Sequence, residues 1–224
     1  MDTQTLDSSQ FDAMESIPQS IKDRVIEFNF SPASYAHHQY LSLDENGPSE
    51  KLAKFLLSEP RSQKRLSNVL SKSYQLNESY HFDFEEKLDQ LALLDSKDLL
   101  RISRIATLSR HNTIARRFID GNEAQKIANL VGQDGFEFAL QSHENSIEHR
   151  VALKFNQFLL LLEKDSIALI QEWLDQLPNG LATRVKLRFP KQLFNDTKAS
   201  TTGLHAFKSA AENFVPLCLN KNNN

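Results

Sequence analysis

Six glycines and seven prolines are all the backbone punctuation that this 224-residue chain carries. A sheet protein needs turn residues at short, regular spacing, and here long stretches contain none. Leu, Ala, Glu, Lys and Gln are common, and these are good helix formers. The predicted fold class is mainly α: an irregular multi-helix bundle with at most one or two short strands.

The apolar spacing divides the chain into successive elements. Val25–Phe30 reads as extended, because Ile26, Phe28 and Phe30 alternate with polar positions. Ser31-Pro32 reads as a helix start, with serine as cap and proline preset for the first turn of a short helix through Tyr35, His37 and Tyr40. Ser49 caps a segment with Leu52, Phe55 and Leu56 on one side, and Pro60 restarts the chain with Leu66, Val69 and Leu70 inside. His81 to Leu94 places Phe84, Leu88, Leu91 and Leu94 at helical spacing. A helix capped by Asp95 or Ser96 faces inward with Leu99, Ile102, Ile105 and Ala106.

Ile114 to Ile119 continues as another helix, ended by Asp120-Gly121. A helix from Asn122 through Ile127 and Leu130 follows, with Gly132 where a left-handed cap belongs. Phe136 to Leu140 adds one or two turns. The clearest stripe is Val151, Phe155, Phe158, Leu159 and Leu162, which predicts a helix over 145–164. Ser166 begins its antiparallel partner with Ile167, Ile170, Leu174 and Leu177, stopped by Pro178. Val185, Leu187 and Phe189 fit a strand or a frayed helix end. A last helix from Leu204 closes at Pro216.

With 40% hydrophobic and 25% charged residues the chain is globular in composition. It is long enough to bury a core without disulfides or a metal. Three parts are expected: a flexible acidic tail over 1–24, one helical domain over 25–219 and a disordered end over 220–224. Met1 to Ile21 carries acids and no Lys or Arg, unlike a secretory signal. The aliphatic run Leu159–Leu162 is far short of the roughly 20 residues that span a bilayer. The lone Cys218 has no partner for an internal disulfide, so a reduced cytoplasm is the expected location.

Catalytic and cofactor patterns are absent from the sequence. Gly132-Gln133-Asp134-Gly135 lacks the third glycine of a dinucleotide loop, and there is no phosphate loop and no nucleophile elbow. His143-Glu144 and His149 are the nearest thing to a zinc helix. Six residues amount to about 600° of helical rotation, which leaves the two imidazoles apart around the axis. His37-His38 has no acid or thiol at ligand spacing. Cys218, between Leu217 and Leu219, reads as a small buried side chain. The fifteen phenylalanines follow helix faces and belong to cores. No enzyme, cofactor or metal is expected.

One segment stands out. Leu99 to Ile119 holds Arg101, Arg104, Arg110, Arg116 and Arg117 and no Asp or Glu. Arg101 and Arg104 lie one helical turn apart, and guanidinium forks suit carboxylates or phosphates. This face either pairs with acids elsewhere in the fold or docks an acidic partner. Nucleic acid or anionic lipid is a third possibility, disfavoured by the net charge of −3.

Three blocks of residues resemble one family. Phe28-x-Phe30-Ser31-Pro32-Ala33-Ser34-Tyr35-Ala36-His37 is similar to the opening of SctK/YscK proteins of bacterial type III secretion. Ile114-Ala115-Arg116-Arg117, then Gly121, Leu130, Gly132, Phe138 and Leu140, resembles their central stretch. Leu187-Arg188-Phe189-Pro190 and Pro216-Leu217-Cys218 resemble elements near their end. Pro32, Tyr35, His37, Gly121, Gly132, Pro190, Pro216 and Cys218 thereby count as structural motif residues. The extension before the first block departs from the family pattern.

The resemblance implies a non-enzymatic cytoplasmic adaptor of the sorting platform, recruited to the inner membrane without inserting in it. Its implied partners are the SctQ-like and SctL-like pod subunits that hold the ATPase, and the cytoplasmic forkhead-like domain of the SctD-like ring protein. The competing expectation is a helical regulator that binds nucleic acid through Arg101–Arg117.

Overall fold

The structure, a computed structural model, describes residues 19–41, 47–119, 121–142, 146–147, 153–195 and 203–220. Its regular elements are all helical, as the composition predicts: α1 Gln19–Phe30, α2 Glu50–Ser58, α3 Pro60–Ser73, α4 Lys87–Gln90, α5 Ser96–Arg110, α6 Asn112–Ala115, α7 Gly121–Val131, α8 Gln133–Gln141, α9 Phe155–Leu174, α10 Asn179–Lys186 and α11 Leu204–Asn220. Short 3₁₀ turns lie at Pro32–Ser34, His38–Tyr40, Leu76–Glu78, Leu91–Leu93 and Arg116–Phe118. Among the described residues there is no strand, and 185–189 is the end of α10 and the turn after it.

The described residues fall into two compact units. The first takes in the described residues of Met1–Asp95, Leu177–Gln192 and Leu219–Asn224, the second those of Ser96–Gln176 and Leu193–Cys218.

In the first unit, Val25–Phe30 is helical rather than extended. Ile21, Val25, Phe28 and Asn29 are buried at i, i+4, i+7 and i+8, while Ile26 and Phe30 are 45% and 44% exposed. The alternation that suggested a strand joins residues from opposite sides of α1, and α1 begins at Gln19, inside the segment assigned to the tail. Ser31-Pro32 starts only a 3₁₀ turn. Its Ser31 side chain makes no cap bond, and the Ser31 carbonyl instead accepts from the Ser34 amide and hydroxyl.

Ser49 caps α2 as predicted, its Oγ accepting from the Leu52 amide at 3.4 Å. The inward faces differ from the apolar pattern, however. Leu52, Phe55 and Val69 are exposed, whereas Ala53, Ser67, Leu70 and Ser71 are buried. Small residues let backbones approach: Ser67 Oγ accepts from the Ala33 amide at 3.2 Å. The core here joins Ala33, Tyr40, Leu41, Ala53, Leu70, Leu76 and Leu187, with Leu57 and Leu66 against it.

The helix predicted from His81 is a loop, then the single turn α4 and a 3₁₀ turn. Buried Asn29 dictates this. Its side-chain amide donates to the His81 carbonyl at 2.6 Å and accepts from the His81 amide at 2.9 Å, holding that backbone open. Phe82 and Phe84, two apart, both turn inward.

In the second unit, α5 buries Leu99, Ile102, Ile105 and Ala106 completely, as their spacing predicts. The expected antiparallel pair broken at Ser166 is instead one helix, α9. Buried Ser166 continues the helix by donating its hydroxyl to the Leu162 carbonyl at 2.5 Å, and its own carbonyl accepts from Ser103 Oγ of α5 at 2.6 Å. The start is set by Gln157, whose Oε1 accepts from the Lys154 amide; Val151 lies outside the described residues. α11 likewise runs through Pro216 instead of stopping there, and Cys218 is buried, as its apolar neighbours suggest.

Candidate partner-binding site

The five arginines of 101–117 do not share one surface. Arg101 on α5 donates from Nε to the Val131 carbonyl at 2.8 Å and from Nη2 to both Asp134 oxygens, at 2.6 and 2.8 Å. It thus satisfies a carbonyl left over at the end of α7 and an acid in the first turn of α8. Burial alone would raise the Asp134 carboxyl, but the Arg101 hydrogen bond, the Gly135 amide and the Arg101 charge outweigh it and hold the carboxyl below its usual range.

Gly132 makes that contact possible. Its φ of 82° is positive, as predicted, but its ψ of 156° lies outside the left-handed helical well, because the residue also opens α8. A Cβ there would lie 2.6 Å from Arg101 Nη2 and 2.5 Å from Asp134 Oδ1.

Arg104 grips Glu163 of α9 with two parallel hydrogen bonds of 2.9 Å. Arg110 is buried, and its charge opposes the burial that pushes the Glu172 carboxyl up; the Gly203 amide opposes it too. Neighbouring His111, also buried, pairs Nε2 with Asp165 at 2.8 Å. Arg116 and Arg117 differ: both are exposed on a 3₁₀ turn, beside Ile119 at 50% exposure. Arg116 Nη2 donates to the Leu140 carbonyl at 2.6 Å. Gly121, next along the chain, has φ 65° with open space where a Cβ would stand.

In the first unit the opening aromatic block meets the Leu-Arg-Phe-Pro block. The His37 amide donates to the Leu187 carbonyl at 2.6 Å, and the Tyr40 hydroxyl to the Lys186 carbonyl at 3.0 Å. Tyr35 donates to the Phe28 carbonyl, and their rings stack. Arg188 lies against both rings, 8% exposed, with Nε and Nη1 buried and lacking hydrogen-bond partners among the described residues. Burial pulls Arg188 down to about 10, and burial pushes the Tyr35 phenol up to about 12 against the pull of the Arg188 charge.

One turn earlier, Arg184 is wholly buried. It donates to the carbonyls of Leu76 at 2.8 Å, Ser79, Gly180 at 3.4 Å and Asn29 at 3.5 Å. Of the family-motif prolines, Pro32 is buried and Pro190 exposed.

Tyr35 and His37 belong to a linker between two 3₁₀ turns, not to a helix. The His37 and His38 rings lie 4.0 Å apart, and His38 Nε2 faces Glu50 Oε1 at 3.4 Å, an acid neighbour the sequence spacing did not disclose. Among the described residues, no group of three or more His, Cys, Asp or Glu is placed to hold a metal. His143, Glu144 and His149 lie outside the described residues.

Sequence reasoning missed Arg184 and named Arg188 only as part of the Leu187–Pro190 block, with no role of its own. The available signal was their position on one helical face with Leu181 and Val185, where a cation must find buried partners.

The opening block and the Leu187–Pro190 block that resemble the secretion family therefore interlock in the first unit, while the central block builds α6 to α8 of the second. No helix among the described residues is long and apolar enough to cross a membrane. No curated protein and no solved structure matches the chain. The family described as YOP proteins translocation protein K (YscK) matches residues 24–211, which include all the interlocking residues just described and most of both units. The chain belongs to the YscK family of type III secretion proteins.

Proposed function

We propose that this chain is the cytoplasmic adaptor of a type III secretion sorting platform. In this reading it links pods of SctQ-like and SctL-like subunits, which hold the ATPase, to the forkhead-like cytoplasmic domain of an SctD-like inner-membrane ring protein. The observation that carries the reading is the family match over residues 24–211. Function is then binding alone, with no reaction catalysed and no cofactor.

The burial pattern supports a narrower contact site than the whole arginine segment. Arg101 and Arg104 hold Asp134 and Glu163, and Arg110 is buried, so their charges serve the fold. Arg116 and Arg117, exposed beside Ile119, are the guanidinium groups of the cluster that an acidic partner reaches most readily.

The test is co-elution of the purified chain with the SctQ-like and SctL-like subunits and with the ring protein's cytoplasmic domain, all from one organism. A stable complex with a pod subunit or the ring domain supports the adaptor reading. A lone monomer against all three at micromolar concentration overturns it.

A further inference from the structure

Helix α3 carries Arg61, Lys64, Arg65, Asn68, Val69 and Lys72 at i, i+3, i+4, i+7, i+8 and i+11, and all six are exposed. They form one stripe along about 16 Å of helix, at ~1.5 Å of rise per residue. The opposite face, with Ser67, Leu70 and Ser71, is buried.

For the free protein this arrangement is unfavourable. Arg61 has Lys64 and Arg65 as its i+3 and i+4 neighbours, so like charges meet along the face. Arg61 also stands in the first turn, where the helix dipole disfavours a cation and where α3 has no acid.

The preceding helix extends the same character. α2 exposes Lys51 and Lys54, and beside them Leu52 at 46% and Phe55 at 59%. Among the described residues, the carboxylate contact made by these six cations is that of Lys54 with Glu50. A hairpin with six cations and two acids thus sits on a chain whose net charge is −3.

We propose that the α2–α3 hairpin is a docking surface for an acidic segment of a protein partner, one in which apolar residues interleave with the acids. The cations of α3 call for carboxylates, and Leu52, Phe55 and Val69 call for apolar side chains at the same interface. A nucleic-acid backbone would answer the charges but offers nothing to those three residues, and its long-range field meets an acidic protein. The surface goes beyond the adaptor reading and relies on it only for the origin of the partner.

The probe is a fluorescein-labelled 20-residue peptide of alternating Glu and Leu pairs, titrated into the full chain. The comparisons are a poly-Glu peptide of equal length, a 20-base-pair DNA duplex and vesicles containing phosphatidylglycerol. Wild type is expected to bind the Glu/Leu peptide at least tenfold more tightly than Lys64→Glu/Arg65→Glu does, and more tightly than it binds poly-Glu. Phe55→Ala should also weaken it severalfold. Circular dichroism establishes that each variant is folded, and Lys64→Gln/Arg65→Gln serves if the reversal is not.

Equal binding of the Glu/Leu peptide by wild type and the charge variant, or no binding of it, overturns the surface. So does tighter binding of the duplex or the vesicles. Because the peptide assay contains no secretion subunit, its failure is separate from failure of the co-elution test.

Discussion

The guanidinium carbon of Arg188 lies 4.7 Å from the ring centroid of Tyr35 and 5.2 Å from that of Phe28. A residue near the end of the sequence thereby closes on the aromatic block near its beginning. The contact holds without a hydrogen-bonded acid, so its attraction is that of a cation over ring faces, on the order of 0.5 to 2 kcal/mol. Burial works against it, as the lowered Arg188 pKa of about 10 records. Arg184, one turn away, instead donates to backbone carbonyls, among them those of Leu76 and Ser79.

These two arginines should respond differently to the same change. Arg184→Met removes the buried guanidinium donor that the Leu76 and Ser79 carbonyls share and is expected to lower stability by about 3 kcal/mol. Arg188→Met keeps the apolar stem against the rings, removes a poorly solvated charge and should change stability by less than about 1 kcal/mol. Urea unfolding of the full chain measures both. A larger loss for Arg188 than for Arg184 would refute this ordering.

Gly132 and Arg101 should be energetically coupled. Gly132→Ala places a methyl group against the Arg101–Asp134 pair and forces a positive φ, for a loss of roughly 2 to 3 kcal/mol. Arg101→Met alone should lower stability by about 2 kcal/mol. Once Arg101 has gone, the methyl group displaces less, so the double variant should lose less than the two single losses added. Strict additivity in a double-mutant cycle would mean the backbone strain alone accounts for the glycine.

The same contact predicts a pH dependence. The folded Asp134 carboxyl is held below its usual range, the unfolded one being near ~3.9. A depressed acid contributes stability above the unfolded pKa and loses it as pH falls through the folded value. The melting temperature of wild type should therefore exceed that of Asp134→Asn at pH 6. The difference should close as the pH is lowered below about 4. A constant difference down to pH 3 would assign the effect to packing rather than charge.

Much of the fold was readable because apolar residues and burial coincide. On α5, Leu99, Ile102, Ile105 and Ala106 are all fully buried, and the 3.6-residue period needed no correction. The period failed where other groups decided the geometry. On α1, Ile26 and Phe30 are large and exposed, and they created a false two-residue repeat. At Ser166 a residue that often opens a helix bonds backwards to Leu162 and prolongs one.

The arginine segment was legible as a cluster but not as a set of ion pairs. Asp134 lies 33 residues from Arg101, and Glu163 lies 59 residues from Arg104. Nothing in the local sequence says that α8 and α9 bring those acids home. The hairpin stripe on α3 was illegible for a different reason: its lysines and arginines acquire meaning only once their shared exposure is known.

Pro216 offers a simpler check. It sits inside α11, where its ring nitrogen cannot donate to the preceding turn. Pro216→Ala restores that donor and should stabilise the chain by about 1 kcal/mol, seen as a rise of a few degrees in melting temperature. A fall in melting temperature would mean that the proline ring packs in a way that outweighs the lost hydrogen bond.

Charge reversal separates the arginines of the fold from those proposed to meet a partner. Arg101→Glu/Arg104→Glu sets new carboxylates against Asp134 and Glu163, in positions where the arginine side chains are only 17% and 20% exposed. That variant should lose about 2 to 4 kcal/mol of stability, and any loss of binding by it would follow from damage to the fold. Arg116→Glu/Arg117→Glu acts on exposed residues, removes the surface hydrogen bond from Arg116 to the Leu140 carbonyl, and should lower stability by no more than about 1 kcal/mol. If those two arginines meet an acidic partner, the second variant alone combines a native circular-dichroism spectrum with at least tenfold weaker binding of one secretion subunit. Unchanged binding of every subunit by that folded variant would remove Arg116 and Arg117 from the interface.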